Sequence, residues 1–209
     1  MQSCSWGGDT FYEGNSWTYS TFVPQDVAGL IQKSGGAERF IERLDAFFGA
    51  PDRYDVGNEP GFLSPYLYIW ADRHDKTAER VRRIVAQNFH SGRSGIPGND
   101  DSGAMSSWYA FSAIGIFPNA GQDVYLIGSP AFPKVTLHVG HGKTFVIEAR
   151  GVSSANKYVV AAELNGAVLD RAWVRHAEIV RGGKLTLTMA ATPGSWPSGP
   201  APPSGSSLQ

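Results

Sequence analysis

The sequence predicts an α+β chain, helices first and strands after, on three observations. Up to about residue 118, apolar residues recur with the period of a helix between Gly- and Pro-rich loops. From 119 to 192 they fall in short β-branched or alternating runs separated by Gly, Asn and Pro. From Pro193 the chain is mostly Pro, Ser and Gly, which bury too little apolar surface to order a segment, so residues 193–209 are expected to form a disordered tail.

Pro24-Gln25-Asp26 opens a short helix with Val27, Leu30 and Ile31 on one side, and Gly35-Gly36 stops it. Between Ala37 and Phe48 the apolar set Phe40, Ile41, Leu44, Phe47 and Phe48 occupies one face of a 3.6-residue period, ended by Gly49 and Pro51. Leu63 to Trp70 is a dense apolar stretch. Lys76 to Phe89 turns Val81, Ile84, Val85 and Phe89 inward and Arg80, Arg82 and Arg83 outward as a solvated face. Met105 to Ile114 is compatible with a buried helix ending at Gly115.

The expected strands are Val124–Ile127, Lys134–Val139, Thr144–Ala149, Tyr158–Leu164 and Leu185–Met189, forming an antiparallel sheet. Asn165-Gly166 is a hairpin signal leading into Ala167–Leu169, because both residues tolerate the positive φ of a type I′ turn. The sequence contains no internal repeat. A few helices plus a partial sheet would leave apolar surface uncovered unless more protein packs on it, so a truncated chain is expected.

Composition narrows the function classes. With 18 basic and 19 acidic side chains the formal net charge is −1, which argues against nucleic acid or anionic membrane as partner. The lone Cys4 excludes an internal disulfide and a Cys-based zinc cluster within the chain. No apolar run is long enough to span a bilayer, and Met1 to Gly7 lacks the pattern of a signal peptide. The six Trp supply flat faces for core packing or for stacking on sugars.

Three acidic loops carry the candidate chemistry. Glu13 lies in Phe11-Tyr12-Glu13-Gly14-Asn15-Ser16-Trp17-Thr18-Tyr19, among four aromatics; apolar surroundings disfavour a charged carboxylate and suit a general acid, whereas a surface glutamate is the plain alternative. Gly57-Asn58-Glu59-Pro60-Gly61 could offer oxygen ligands to a hard cation, hydrogen bonds to sugar hydroxyls, or only an Asx-type turn. Gly98-Asn99-Asp100-Asp101-Ser102-Gly103 concentrates two adjacent carboxylates that repel, so burying both without a cation or a proton is costly. Asp101 or Ser102 could instead cap the helix that follows. The spacing is not that of an EF-hand. Serine-nucleophile, P-loop, dinucleotide and zinc-protease motifs are absent, and His138-Val139-Gly140-His141 reads as strand and turn rather than as a metal site.

Taken together and in order, Glu13 to Tyr19, Phe22 to Val27, Gly57 to Pro60, Pro97 to Ser106, Gly115 to Pro118 and Ile127 to Pro133 resemble the C-terminal portion of glycoside hydrolase family 92. The resemblance implies a calcium-dependent, exo-acting α-mannosidase acting on mannose-containing glycans. It implies the C-terminal part of an (α/α)6 barrel over residues 1–118, with an N-terminal β-sandwich lying outside this chain, then antiparallel strands of a sandwich-like region over 119–192. It places Glu13 as general acid and Asp101 as general base, with Asn99 and Asp100 as substrate contacts beside the base. Asn58 and Glu59 would touch sugar or Ca²⁺, and Trp17 would serve as a sugar contact. Secretion or a periplasmic location is expected for such an enzyme. A non-catalytic carbohydrate-binding or scaffold domain is the competing reading, in which the acidic loops only hold calcium.

Overall fold

The computed structural model describes residues 11–50 and 53–207; the chain start, Cys4 and the expected helix stop at Pro51 lie outside the described residues. Asn15 caps a single turn, α1 (Ser16–Tyr19), by accepting from Thr18 N at 2.9 Å. Asp26 caps α2 (Val27–Lys33) through Gly29 N at 3.0 Å. α3 (Ala37–Gly49) buries Phe40, Leu44, Phe47 and Phe48, the face its periodicity predicts. The dense apolar stretch is a 3-10 helix, Ser64–Ala71, with every residue buried. It shows no amphipathic period because it has no wet face. α4 (His74–Asn88) and α5 (Ala104–Ile114) follow, and α5 stops at Gly115, whose φ of +93° suits a residue without a Cβ.

Of the α4 arginines expected to form a solvated face, Arg83 is exposed as predicted, whereas Arg80 and Arg82 are half-buried. Arg80 pairs with Asp45 at 3.3 Å, and Arg82 donates to the carbonyls of Pro130 at 3.1 Å and Ser153 at 2.5 Å. The sequence shows the outward direction of these side chains but not the β-rich half that packs against them.

That half contains β1 (Ile116–Pro118), β2 (Val124–Ile127), β3 (Lys134–His138), β4 (Thr144–Arg150), β5 (Tyr158–Leu164), β6 (Ala167–Val168), β7 (Trp173–Arg175), the helix α6 (His176–Val180) and β8 (Gly183–Ala190). One sheet has the order β1-β2-β7, the other β3-β4-β8-β5-β6. The second sheet is mixed, correcting the antiparallel expectation: β4 and β8 run parallel from Phe145↔Gly183 to Arg150↔Thr188. Alternation of apolar residues records which face is buried, not strand direction. The Asn165-Gly166 turn joins β5 to β6 with φ of +53° and +85°, as its sequence predicts.

One apolar cluster joins the helices to β2 and β7, and a second fills the larger sheet. The tail is the clearest correction. Its described part, to Ser207, docks across both halves: Trp196 Nε1 donates to Leu169 O at 2.8 Å, Pro200 O accepts from Trp173 Nε1 at 3.0 Å, and Ser204 Oγ accepts from Ala28 N at 3.0 Å. Composition describes what a segment can bury by itself. Here one tryptophan, one proline carbonyl and one serine use a surface already built by the rest of the chain.

Candidate active site

Glu13 stands on a tightly held loop. Asn15, 1% exposed, donates to Arg53 O at 3.1 Å, so the turn after Glu13 is tied to the chain leading into the second acidic loop. Gly14 lets Tyr19 pass: a Cβ there would lie 2.7 Å from the tyrosine ring. The aromatics do not enclose Glu13, which is exposed with φ of +49°, because Tyr19 turns its hydroxyl to Tyr12 O at 2.6 Å and stacks on Phe11.

The second loop meets the first directly. Asn58 Nδ2 donates to Glu13 O, while Asn58 Oδ1 accepts from Glu59 N at 3.1 Å and starts the 3-10 turn Glu59–Gly61. The Asx-type cap and the bridge between loops are therefore both made by one side chain. Glu59 itself is half-buried.

The third loop seats on the second through two glycines. A Cβ on Gly98 would lie 2.2 Å from Gly57 O, a contact that no other residue could make without displacing the backbone. Beyond Gly98, Asp100 takes the capping role expected of Asp101 or Ser102: its Oδ1 accepts from Ser106 N at 2.8 Å. Asp101 is left exposed with φ of +41°, and Ser102 follows at +62°. Asn99 is exposed on the same loop.

Six non-glycine residues among those described have positive φ, and Glu13, Asp101 and Ser102 make up half of them. Backbone held in this sparsely populated region costs about 1 kcal/mol or more per residue and persists where surroundings enforce it, a recurrent property of functional sites. Three loops far apart in sequence thus meet along one seam, the Glu13 loop held by Asn58 and the Gly57 loop in contact with Gly98, just before Asn99, Asp100 and Asp101.

Beside the seam lies a cavity of about 330 Å³ walled by Phe22, Phe62, Trp108, Phe111 and Phe117, with Glu59 as its only charged lining residue. Sequence reasoning missed these aromatics; only the position of Trp108 one turn into the helix after the Asp-Asp loop hinted at one of them. Trp17 does not join them. Its ring stacks on Phe47 and carries the guanidinium groups of Arg43 at 5.0 Å and Arg53 at 4.5 Å.

Calcium takes about six to eight oxygen ligands. No group of three His, Cys, Asp or Glu side chains suited to a metal occurs among the described residues. Asn58 already uses both ends of its amide within the protein, and Glu59 adds one carboxylate. These residues fit part of a calcium shell and not a whole one.

A family model of the glycosyl hydrolase family 92 catalytic domain matches residues 1–191. An Arthroderma benhamiae protein named as an uncharacterized secreted glycosidase is 39% identical over 191 residues, which cover 90% of this chain and 25% of that protein. Among solved structures, a family GH92 α-mannosidase from Bacteroides thetaiotaomicron, in complex with mannoimidazole, superposes with a TM-score of 0.88 at 31% identity, over 93% of this chain and 28% of that one. An inverting GH92 mannosidase from the same organism gives 0.87 at 35% identity, over 99% and 32% respectively. The chain therefore spans about a quarter to a third of the length of these relatives.

Proposed function

The chain belongs to glycosyl hydrolase family 92, and from that premise we propose that it carries the acid and base of an exo-acting, inverting α-mannosidase. The observation that carries the reading is the convergence of the Glu13, Asn58-Glu59 and Asn99 to Asp101 loops, with both proposed catalytic residues on left-handed backbone. Asp101 takes a proton from water as the water oxygen bonds to the anomeric carbon. The glycosidic bond breaks on the opposite side, and Glu13 gives its proton to the departing oxygen. Inversion needs the two carboxyls about 6.5 to 9.5 Å apart, room for one water and the sugar ring.

Asn58 and Glu59 take the sugar hydroxyl and calcium contacts, Asp100 and Asn99 position the base loop, and the aromatic cavity beside Glu59 shields an apolar sugar face. The family is calcium-dependent in general; here Glu59 would supply carboxylate oxygens, and Asn58 the remaining lone pair of an amide oxygen already bonded to Glu59 N, toward a shell that further ligands would complete. The helices from α1 to α5 read as a sector of an (α/α)6 barrel, and the curated relative's name favours a secreted protein.

The test is release of free mannose from an α-linked disaccharide by a hybrid in which this chain replaces the matching part of the solved Bacteroides α-mannosidase. Glu13→Gln and Asp101→Asn should each lose at least about 100-fold in kcat, the lower end expected for an acid or base. Undiminished turnover in both variants would sink the assignment. Sugar binding without turnover in the unmutated hybrid would favour a non-catalytic carbohydrate-binding role.

A further inference from the structure

The α4 arginines Arg80, Arg82 and Arg83 line a cleft of about 380 Å³ between that helix and the connection from β4 to β5. Its lining brings together Arg80, Arg82, Arg83 and Lys157 with Ser154, against a single carboxylate, Glu79. That carboxylate accepts from Tyr158 Oη at 2.5 Å and is drawn toward the strand side. Asp45 pairs with Arg80 but is not part of the lining. Arg82, Arg83 and Lys157 have no acidic partner among the described residues: Arg82 donates only to the Pro130 and Ser153 carbonyls, and Arg83 to Phe48 O at 3.4 Å. Arg80 Nε is buried with no hydrogen-bond partner.

Four cations facing one acid repel one another, and burial already makes the charged form of Arg82 less favourable than in water. Asp45 relieves Arg80 and Glu79 is the one acid of the lining, so Arg82, Arg83 and Lys157 face the cleft without an acidic partner among the described residues, and Arg80 Nε lacks a hydrogen-bond partner. We propose that the cleft is an anion site for a phosphate group, free or carried on a sugar. Guanidinium forks and an ammonium match the geometry and charge of a phosphate, which can accept from several donors at once, better than those of a carboxylate. The site is separate from the acidic seam, so its failure would leave the glycosidase reading untouched.

Inorganic phosphate, a hexose 6-phosphate, the unphosphorylated hexose and glutamate would be titrated into the chain, with binding followed by calorimetry and by amide shifts. Both phosphates should bind at millimolar or lower concentration, weakening as salt rises, and should perturb amides near Ser154 and Lys157. Arg83→Ala and Lys157→Ala touch exposed or half-exposed side chains that the fold does not depend on, and each should weaken phosphate binding about tenfold, the loss of one charge-assisted bond. Phosphate affinity unchanged in both variants, or the hexose or glutamate binding as tightly as phosphate, would overturn the proposal. A hexose 6-phosphate binding more tightly than inorganic phosphate supports a sugar-borne group; equal affinities support phosphate alone.

Discussion

The side-chain amide of Asn58 donates to the backbone carbonyl of Glu13 across 45 residues of chain, and the same amide's oxygen starts the turn that carries Glu59. Two loops with proposed roles are therefore fixed to each other through one residue. Asn58→Ala removes both bonds and should cost about 1 to 2 kcal/mol of stability. Hydrogen exchange at Gly14 and Asn15 should quicken while exchange in β4 and β8 stays as before. In the hybrid enzyme kcat should fall more than KM rises, since the loss is one of positioning. Slow exchange retained at Gly14 would show that the Glu13 loop is held by Asn15 alone.

Gly98 sits against Gly57 with no room for a methyl group and with φ of +63°. Gly98→Ala combines a clash with backbone and a conformation unfavourable to an L-residue, for an expected loss of about 2 kcal/mol or more. Gly103→Ala is the control: its φ of +95° is as unfavourable, but a Cβ there meets nothing within 4 Å. Urea unfolding of both variants separates the contact from the dihedral. Equal losses would mean that the seating of the two loops contributes nothing.

Local grammar revealed what depends on neighbours in sequence. The caps at Asp26 and Gly115, the α3 face and the Asn165-Gly166 turn are all set within a few residues. The parallel pairing of β4 with β8 and the docked tail are set by partners far along the chain, which no window records. β7, three residues long, is too short to show a period. At the seam, composition showed three acidic loops, and the resemblance ordered them. The contact that joins the second to the third, Gly57 against Gly98, was written as two glycines that could equally have been ordinary turns.

The tail binds the two halves through Trp196, whose ring meets His74 edge-on at 4.8 Å and whose Nε1 bonds Leu169 O. Further on, Ser206 gives Asp26 two hydrogen bonds, from its hydroxyl at 2.7 Å and its N–H at 3.1 Å, and these hold the Asp26 carboxyl below its usual range. Trp196→Ala should destabilise by about 3 kcal/mol, the low end for a buried aromatic since the ring is partly exposed. Trp196→Phe, which keeps the ring contact and loses the bond, should cost about 1 kcal/mol. Thermal unfolding that ranks the two variants equally would mean that the indole bond, not the packing, holds the tail.

His74 links helix to sheet in a way that pH should expose. It is 2% exposed, and Nε2 donates to Ile127 O at 3.0 Å, which requires the proton on that nitrogen; the bond by itself favours the charged ring, and burial opposes it. Burial lowers its pKa from 6.5 to about 4. Between those values the unfolded chain binds a proton that the folded chain refuses, so stability rises with pH across this window. The contribution is complete above about pH 6.5, declines as pH falls toward 4, and declines no further below. A gap of this size corresponds to about 3 kcal/mol at the acid end. Asp75, also nearby, is held below the usual carboxylate range by its bonds with Arg73 against the opposing effect of burial, so its own loss lies at lower pH. His74→Gln keeps a donor for Ile127 and cannot titrate. Its stability at pH 7 should be somewhat lower, and the difference from the unmutated chain should shrink or reverse by pH 4. Parallel stability curves for the two proteins between pH 4 and 6.5 would show that His74 is not the group that titrates there.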